Sequence, residues 1–315
     1  MAISKEPIAP PLVRGGELGA LAAATVRSPA SWIFAVVWLA CALYLAAIGL
    51  VAFIFIALAI LAAISLLVWL TLLLTRGAPT PAWMRGPSPA EVRRDGRAWI
   101  QLAFLLATCL LVTQWILSWN RLAPMLPLWN PLLGWLATIQ NALHIPSNWL
   151  MVPLLYCALP AAVLLLLGAR PRELGLGRGF HVWRVAALWS ALQAAYLIIA
   201  LATGQRTPLA ILSRALGTTL NSGPFEEFLF RGALMTHVAR LFGTGWGIVI
   251  SSIFFGVLHT STETLSDGRG NVLAGLALGI LLQGAGSIGY AVMQHRTGNL
   301  LASSVSHILT NVAGG

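Results

Sequence analysis

The sequence contains few acidic residues and almost no lysine. Nine of its 315 residues are Asp or Glu, and its 19 basic residues are eighteen arginines and Lys5. Charged residues make up 9% of the chain and hydrophobic residues 58%, whereas soluble domains have roughly 25% charged residues. This composition excludes an ordinary soluble domain and predicts an all-α protein that crosses a membrane several times.

Cysteine is also scarce. Cys41, Cys109 and Cys157 lie in apolar segments and show no CxxC spacing. An odd number of isolated cysteines argues against both a disulfide framework and a thiolate metal site. We interpret all three as small hydrophobic residues buried in the membrane.

The net charge of +10 comes from arginines that fall mostly between apolar stretches. The positive-inside rule explains this distribution better than nucleic-acid binding does, so we expect no nucleic-acid partner. The polar tail 1–30 and the loops 76–97 and 168–181 are all basic. We therefore expect these three segments in the cytoplasm, and no signal peptide at the N-terminus.

Apolar segments of suitable length predict a polytopic bundle of about eight or nine spans. The segment 120–148, rich in proline and tryptophan, is predicted to lie at the membrane interface instead. Nine spans place the C-terminus and His259 towards the outer face. The predicted spans are two within 32–75 and one each at 99–119, 148–167, 182–203, 208–242, 245–262, 271–294 and 299–312.

Two adjacent glutamates interrupt the predicted span 208–242. A single carboxylate at mid-membrane costs about 2.5–3.5 kcal/mol on insertion scales, so a pair needs partners. Glu227 precedes Arg231 by four residues, which is the favourable order for an ion pair on one helix face. Glu226 points about 100° away from Glu227 around the helix and is predicted to be available for chemistry.

Two later predicted spans carry further polar pairs at the same spacing. Phe255 and His259 are four residues apart, as are His307 and Asn311. A carboxylate, two imidazoles and an amide suit hydrolysis, because Glu226 can take a proton from water while the other groups position it or donate to an oxyanion. The absence of GxSxG lowers the odds of a serine nucleophile.

A metal site is the weaker alternative for these side chains. Two glutamates and two histidines are able to bind zinc. However, no HExxH motif is present, and Glu227 already has the cationic partner Arg231. We therefore predict no cofactor and no metal, with zinc as the minor alternative.

Other polar residues in this half of the chain are interpreted as structural. We predict that His237 lies at the interface and that Glu263 is solvated in a loop. Gln283 either lines a cavity or packs between helices. The spacing of Gly275 and Gly279 predicts close helix packing.

Three motifs carry a family resemblance, and they are Glu226-Glu227-x-x-x-Arg231, Phe255-x-x-x-His259 and His307-x-x-x-Asn311. Together and in this order they resemble the CPBP (ABI) family of intramembrane proteases, which includes the Ras-converting CAAX endopeptidase. The resemblance covers about residues 170–313, including the segment Glu173-Leu-Gly-Leu176. The Gly223-Pro224 pair before the glutamates departs from the family pattern.

The resemblance implies a glutamate-type endopeptidase that requires no metal. By analogy Glu226 and His259 activate water, and His307 with Asn311 forms the oxyanion hole. Glu227, Arg231 and Phe255 are then supporting residues. The CAAX endopeptidase works from the cytosolic side, whereas the charge distribution here puts His259 nearer the outer face. Either the span count is off by one or this protein faces the other way.

The apolar segments, the basic tail and, for the C-terminal half, the resemblance together suggest how the chain is organised. We predict a cytoplasmic tail at 1–30, N-terminal transmembrane helices at 31–168 and a catalytic transmembrane core at 169–315. The expected partners are the lipid bilayer and a membrane-bound peptide or protein substrate, in the plasma membrane if the protein is prokaryotic. The alternative is a transporter or a catalytically silent scaffold that binds a peptide or a lipid.

Overall fold

The computed structural model describes residues 27–314 apart from 80, 85–87, 128 and 146. Most of the predicted tail 1–30 lies outside this range. The described part is helical throughout, with one isolated β-bridge between Leu176 and Asn299. The predicted all-α class is therefore confirmed.

In addition to two short 3-10 helices at Ala82–Met84 and Pro171–Leu174, the described residues form thirteen longer helices, three of which contain a π-helical segment. They are α1 (Pro29–Ala47), α2 (Val51–Leu74), α3 (Pro89–Arg94), α4 (Gly96–Trp119), α5 (Trp129–Leu143), α6 (Ser147–Pro153, π Leu154–Ala158, Leu159–Leu166), α7 (Val182–Ala202), α8 (Pro208–Asn221), α9 (Gly223–Glu227, π Phe228–Met235, Thr236–Phe242), α10 (Thr244–Leu258), α11 (Thr260–Ser266), α12 (Val272–Leu278, π Gly279–Gly284, Ala285–Thr297) and α13 (Leu301–Gly314).

Among the described residues, six helices are long and apolar enough to cross a membrane, namely α1, α2, α4, α6, α7 and α12. A seventh crossing results if α10 and α11, which meet at a 45° bend, form one span. Helices α9 and α13 pack inside this bundle but do not meet the same test, because α9 carries four charged residues and α13 has only 14 residues. The polytopic bundle is confirmed, while the count of eight or nine spans stays a prediction.

The segment 208–242, predicted as one span, forms two helices, because the chain breaks at Ser222. This residue has φ −150° and ψ −80° and separates α8 from α9. Pro224 stands in the first turn of α9, where its missing N–H is not needed and its fixed φ suits a helix start. The Gly-Pro pair therefore starts a new helix three residues before Glu226.

The bundle has one end that is rich in arginine. Here Arg240 forms an ion pair with Glu173 at 3.2 Å, and Arg93 donates to the carbonyl of Leu241 at 2.8 Å. Arg296 donates to the carbonyl of Thr75 at 2.7 Å. These contacts join α3 and the segment before α7 to the end of α9, and the end of α2 to the end of α12. We call this region the arginine-rich end.

The opposite end is held together by different contacts. The amide of Asn120, after α4, donates to Ser261 in α11 at 2.7 Å. Asn271, before α12, donates to the hydroxyl of Tyr44 near the end of α1 at 3.2 Å. Arg206, after α7, donates to the carbonyl of Val312 in α13 at 3.1 Å. Successive long helices therefore run between the two ends in alternating directions.

Helices α10 and α12 cross at glycines. A Cβ added to Gly279 meets the backbone carbonyl oxygen of Gly256, and one added to Gly275 meets Thr264 and the carbonyl of Thr260. The prediction of close packing from the spacing of Gly275 and Gly279 is confirmed. This crossing matters for the site because Phe255 and His259 lie on either side of Gly256 along α10.

Gly279→Ala should destabilise the protein by about 1–3 kcal/mol, a typical cost of inserting a methyl group into a packed contact. Gly286→Ala on the same helix is the matched control, because nothing lies within 4 Å of its added Cβ. Thermal unfolding of the two variants in detergent tests this expectation. Equal unfolding temperatures would contradict the close crossing.

Candidate active site

A fully buried ion pair lies at the centre of the polar cluster. The carboxylate of Glu227 and the guanidinium of Arg231 are 3.2 Å apart, and both side chains are 0% exposed. The Arg231 guanidinium carbon lies 4.3 Å from the centre of the Phe255 ring, which is a cation–π distance. The predicted pair is therefore present, and its supporting role stays a prediction.

Two buried serines complete the surroundings of Arg231. Its Nη2 donates to Ser287 Oγ in α12 at 2.7 Å, and Ser287 Oγ in turn donates to Ser252 Oγ in α10 at 3.2 Å. Neither serine was singled out from the sequence. The sequence nevertheless indicated that Arg231 needs further acceptors on other helices. A guanidinium has five N–H donors, and the single carboxylate four residues earlier leaves several of them without an acceptor.

His307 stands between the two glutamates. Its Nδ1 lies 3.0 Å from Glu227 Oε1, and its Nε2 lies 3.7 Å from Glu226 Oε2. The ring of Tyr290 stacks on the imidazole at 5.1 Å with an interplanar angle of 12°. The same oxygen of Glu227 thus serves both Arg231 and His307, a sharing that the motif spacing on one helix did not predict.

Glu226 has an oxygen that is not engaged in the described residues. Its Oε2 is buried and has no hydrogen-bond partner there, since the 3.7 Å separation from His307 exceeds hydrogen-bond length. The side chain is 12% exposed, in contrast to the fully enclosed Glu227. The two adjacent glutamates therefore have different surroundings, as their angular separation predicted.

His259 lies where α10 ends and the chain bends into α11. Its Nδ1 is 2.8 Å from the carbonyl oxygen of Phe255. Because a carbonyl only accepts, Nδ1 carries the proton, and a neutral ring has its lone pair on Nε2. The Phe255 ring lies 4.5 Å from the ring of His259 and 5.8 Å from that of His307, between the two histidines.

Asn311 is connected to Glu226 through the start of α9. Its amide nitrogen donates to Ser222 Oγ at 3.2 Å, and the Ser222 carbonyl accepts the backbone N–H of Glu226 at 3.0 Å. The backbone carbonyl of Asn311 accepts from Arg214 at 3.1 Å. The structure therefore brings Glu226, His307 and Asn311 into one neighbourhood, with His259 joined to it through Phe255.

Tyr156 is a further residue near Glu226 that sequence reasoning missed. It is buried in the π-helical segment of α6 and lies close enough to Glu226 for an electrostatic interaction. π-helical segments frequently occur at functional sites, and α9 has one immediately after Glu227. No spacing in the sequence linked Tyr156 to the later motifs, because α6 belongs to the half of the chain that the resemblance does not cover.

The interpretation of Glu263 as solvated is wrong. Glu263 is 5% exposed and accepts a hydrogen bond from Gln283 at 3.1 Å, because α11 folds against α12 instead of forming a solvated loop. His237 is 2% exposed, with Nδ1 2.8 Å from the carbonyl of Ala233, so it packs inside the bundle, and its level at the membrane interface stays a prediction. Gln283 contacts Glu263, which agrees with the packing alternative.

No group of three or more His, Cys, Asp and Glu side chains in the described part of the chain is arranged to hold a metal. The expectation that no cofactor is needed stays a prediction, to be tested by chelation.

The comparison with family models agrees with the motifs. Residues 207–313 match the model described as type II CAAX prenyl endopeptidase, Rce1-like. The matched segment contains all three motifs and runs from α8 to α13. This match, over about a third of the chain, confirms the resemblance of the segment to the CAAX protease family and indicates a hydrolase of the protease class.

The match begins at residue 207, so the predicted core boundary at 169 and the helices before it are not tested by it. No curated protein and no solved structure matches the chain.

Arg231→Met should destabilise the protein by about 3–5 kcal/mol, because it leaves the Glu227 carboxylate buried without its cation. The double variant Glu227→Gln/Arg231→Met should recover part of this loss, because it removes both charges. Thermal unfolding in detergent measures both variants. A single variant as stable as the parent protein would show that the pair does not hold the helices.

Proposed function

We propose that the protein is an intramembrane endopeptidase that hydrolyses a peptide bond of a membrane-associated substrate with water activated by Glu226. The main support is the difference between the two glutamates. Glu227 is 0% exposed, and its Oε1 contacts both Arg231 and His307, whereas Glu226 is 12% exposed and its Oε2, which has no hydrogen-bond partner among the described residues, lies 3.7 Å from a histidine nitrogen. This arrangement leaves Glu226 able to take a proton.

The first step is activation of a water molecule. Glu226 takes a proton from the water, and the oxygen adds to the carbonyl carbon of the scissile bond. His259 orients this water by accepting its second O–H at Nε2, which has the lone pair because Nδ1 donates to the Phe255 carbonyl. The half-buried Phe255–His259 turn thus supplies the positioning group, as the family resemblance implies.

The second step requires donors for the oxyanion. The Nδ1–H of His307 donates to the ionised Glu227, so Nε2 is the nitrogen that faces the reaction. In the proposed cycle His307 is an imidazolium from the start and remains one, so its Nε2–H donates to the oxyanion and no further proton is needed. The carboxylate of Glu227 stabilises this imidazolium in the same way as it stabilises the guanidinium of Arg231. One amide hydrogen of Asn311 binds Ser222, and the second is available for the same oxyanion.

Collapse of the tetrahedral intermediate completes the reaction. The C–N bond breaks, the carbonyl re-forms, and Glu226 returns the proton that it took from water to the leaving amine. Water is thereby divided between the two products, and the enzyme is unchanged. No covalent intermediate with the protein is needed, which agrees with the absence of a recognisable nucleophile motif.

The substrate class follows from the family and from the position of the cluster. The matched family is named for CAAX prenyl endopeptidases, and the cluster lies among helices that face lipid. We propose that the substrate is a peptide held at the bilayer by a lipid group or by an apolar segment.

Glu226→Gln should lower the cleavage rate by roughly 10²–10⁴-fold, the usual contribution of a general base, with the fold retained. Glu263→Gln is the matched control, because Glu263 is also a buried glutamate but belongs to a different cluster, where Gln283 donates to it. Cleavage of a prenylated CAAX peptide by purified protein in detergent provides the measurement. Glu226→Gln cleaving at the parent rate would falsify the mechanism.

If the parent protein binds such a peptide without cleaving it, the alternative of a silent scaffold is favoured. Glu227→Gln distinguishes a structural role from a catalytic one. It should lower both the unfolding temperature and the cleavage rate, whereas Glu226→Gln should lower only the cleavage rate.

Cleavage should continue in the presence of a strong chelator, because the proposed water activation relies on carboxylate and imidazole groups of the chain. The rate after prolonged dialysis against chelator, with and without added Zn²⁺, provides the test. A loss of activity that Zn²⁺ restores would favour the zinc alternative.

A further inference from the structure

We propose that the active site opens on the side of the membrane opposite the arginine-rich end, which is the non-cytoplasmic side. Its substrate is then a peptide segment presented at the non-cytoplasmic membrane surface. This inference rests on the proposed peptidase function and specifies the side from which that site is reached.

The first observation is the position of the site along α9. Glu226 lies in the first turn of this helix and Arg240 in its last turn, where it pairs with Glu173 at the arginine-rich end. Fourteen residues separate Glu226 from Arg240, which corresponds to about 20 Å at 1.5 Å per residue. Since the hydrocarbon core is about 30 Å thick, the glutamate lies well towards the opposite end.

Helices α10 and α13 place the other candidate residues at the same level. α10 begins beside Ser28, which an added Cβ at Gly245 would approach to 3.1 Å, and it ends at His259 next to α11. α13 begins after Asn299, which pairs with Leu176 in the basic loop, and Asn311 lies in its last turn. All three helices therefore carry their candidate residues away from the arginine-rich end.

The second observation is the distribution of positive charge. Eleven arginines of the described residues lie in segments at the arginine-rich end, and four lie at the opposite end. The eleven are Arg27, Arg76, Arg93, Arg94, Arg97, Arg170, Arg172, Arg178, Arg184, Arg240 and Arg296. Those at the opposite end are Arg121, Arg206, Arg214 and Arg269.

This asymmetry sets the orientation. Arginine in short loops next to membrane helices remains in the cytoplasm. Two of the four arginines at the opposite end, Arg206 and Arg214, donate to carbonyls in the last turn of α13 and so have a structural role there. The arginine-rich end is therefore cytoplasmic. Glu226 consequently lies closer to the non-cytoplasmic surface of the membrane than to the cytoplasmic one.

The third observation is an amphipathic helix at the level of the site. α8 buries none of its residues. Leu209, Leu212 and Leu216 are 75%, 56% and 54% exposed and share one face, while Arg214 points the other way, to the carbonyl of Asn311. Such a helix lies at a membrane interface with its apolar face in lipid. It leads through Ser222 directly to Glu226, so the site lies next to this interface.

The substrate class follows from this position. A peptide bond that reaches Glu226 from the interface beside α8 belongs to a segment that has already crossed the membrane, such as a membrane-anchored part of an exported protein. A lipid-modified C-terminus that remains on the cytoplasmic side has to cross most of the bilayer to reach the same carboxylate.

Thiol labelling tests the orientation without requiring activity. Arg94→Cys and Asp267→Cys, both at exposed positions, report on the arginine-rich end and the opposite end. In intact spheroplasts of a bacterial expression host, a membrane-impermeant maleimide should label Asp267→Cys at least tenfold more than Arg94→Cys. Permeabilisation should make the two signals equal. The parent protein, with Cys41, Cys109 and Cys157 in membrane helices, supplies the background.

Stronger labelling of Arg94→Cys, or equal labelling of both in intact spheroplasts, overturns the proposal. Repeating the experiment in the Glu226→Gln background should give the same pattern, because orientation does not depend on catalysis. The two proposals therefore fail in different ways. If the peptidase proposal alone is wrong, the parent protein does not cleave the peptide in detergent, while the labelling pattern is as expected.

A cleavage experiment tests access to the site itself. A CAAX-type peptide that cleaves in detergent, made membrane-impermeant by a charged tag, should be cleaved by sealed right-side-out vesicles and at least tenfold more slowly by sealed inside-out vesicles. The reverse preference would show that the site is reached from the cytoplasm.

Discussion

The buried charge cluster around Arg231 is the constraint on which the rest of the site depends. A guanidinium and a carboxylate that are both 0% exposed inside a membrane helix bundle are tolerated only when each is paired. Glu227, the hydroxyl of Ser287 and the face of Phe255 meet this requirement from three helices. Because groups from α9, α10 and α12 all contact the Arg231 guanidinium, this cation fixes the positions of these helices relative to one another.

The same cluster explains how two neighbouring glutamates acquire different chemistry. Glu227 binds both Arg231 and His307, so its charge is neutralised and it orients the imidazole. Glu226 is one residue earlier, next to the break at Ser222, and its Oε2 is left without a hydrogen-bond partner among the described residues. A structural ion pair thus lies beside a second carboxylate, that of Glu226, which is 3.7 Å from the same histidine.

Much of this site was predictable because its residues repeat at a spacing of four on helices. Glu227 with Arg231, Phe255 with His259, and His307 with Asn311 each share a helix face, and periodicity alone shows this. The helix break at Ser222, the burial of Glu263 and His237, and the contacts of Ser252, Ser287 and Tyr156 were not predictable in this way. They depend on which helix packs against which, and a local pattern does not contain that information.

The sequence by itself determined the class of protein, the helical bundle, the family resemblance and the list of candidate residues. These follow from composition, the period of the α-helix and the order of motifs along the chain. Only the tertiary structure decided that Glu227 is shared by Arg231 and His307, and that the site lies at the end of the bundle away from most arginines. The physical reason is that a carboxylate in a low-dielectric interior is stabilised by whichever cations and donors the packing of distant helices brings to it.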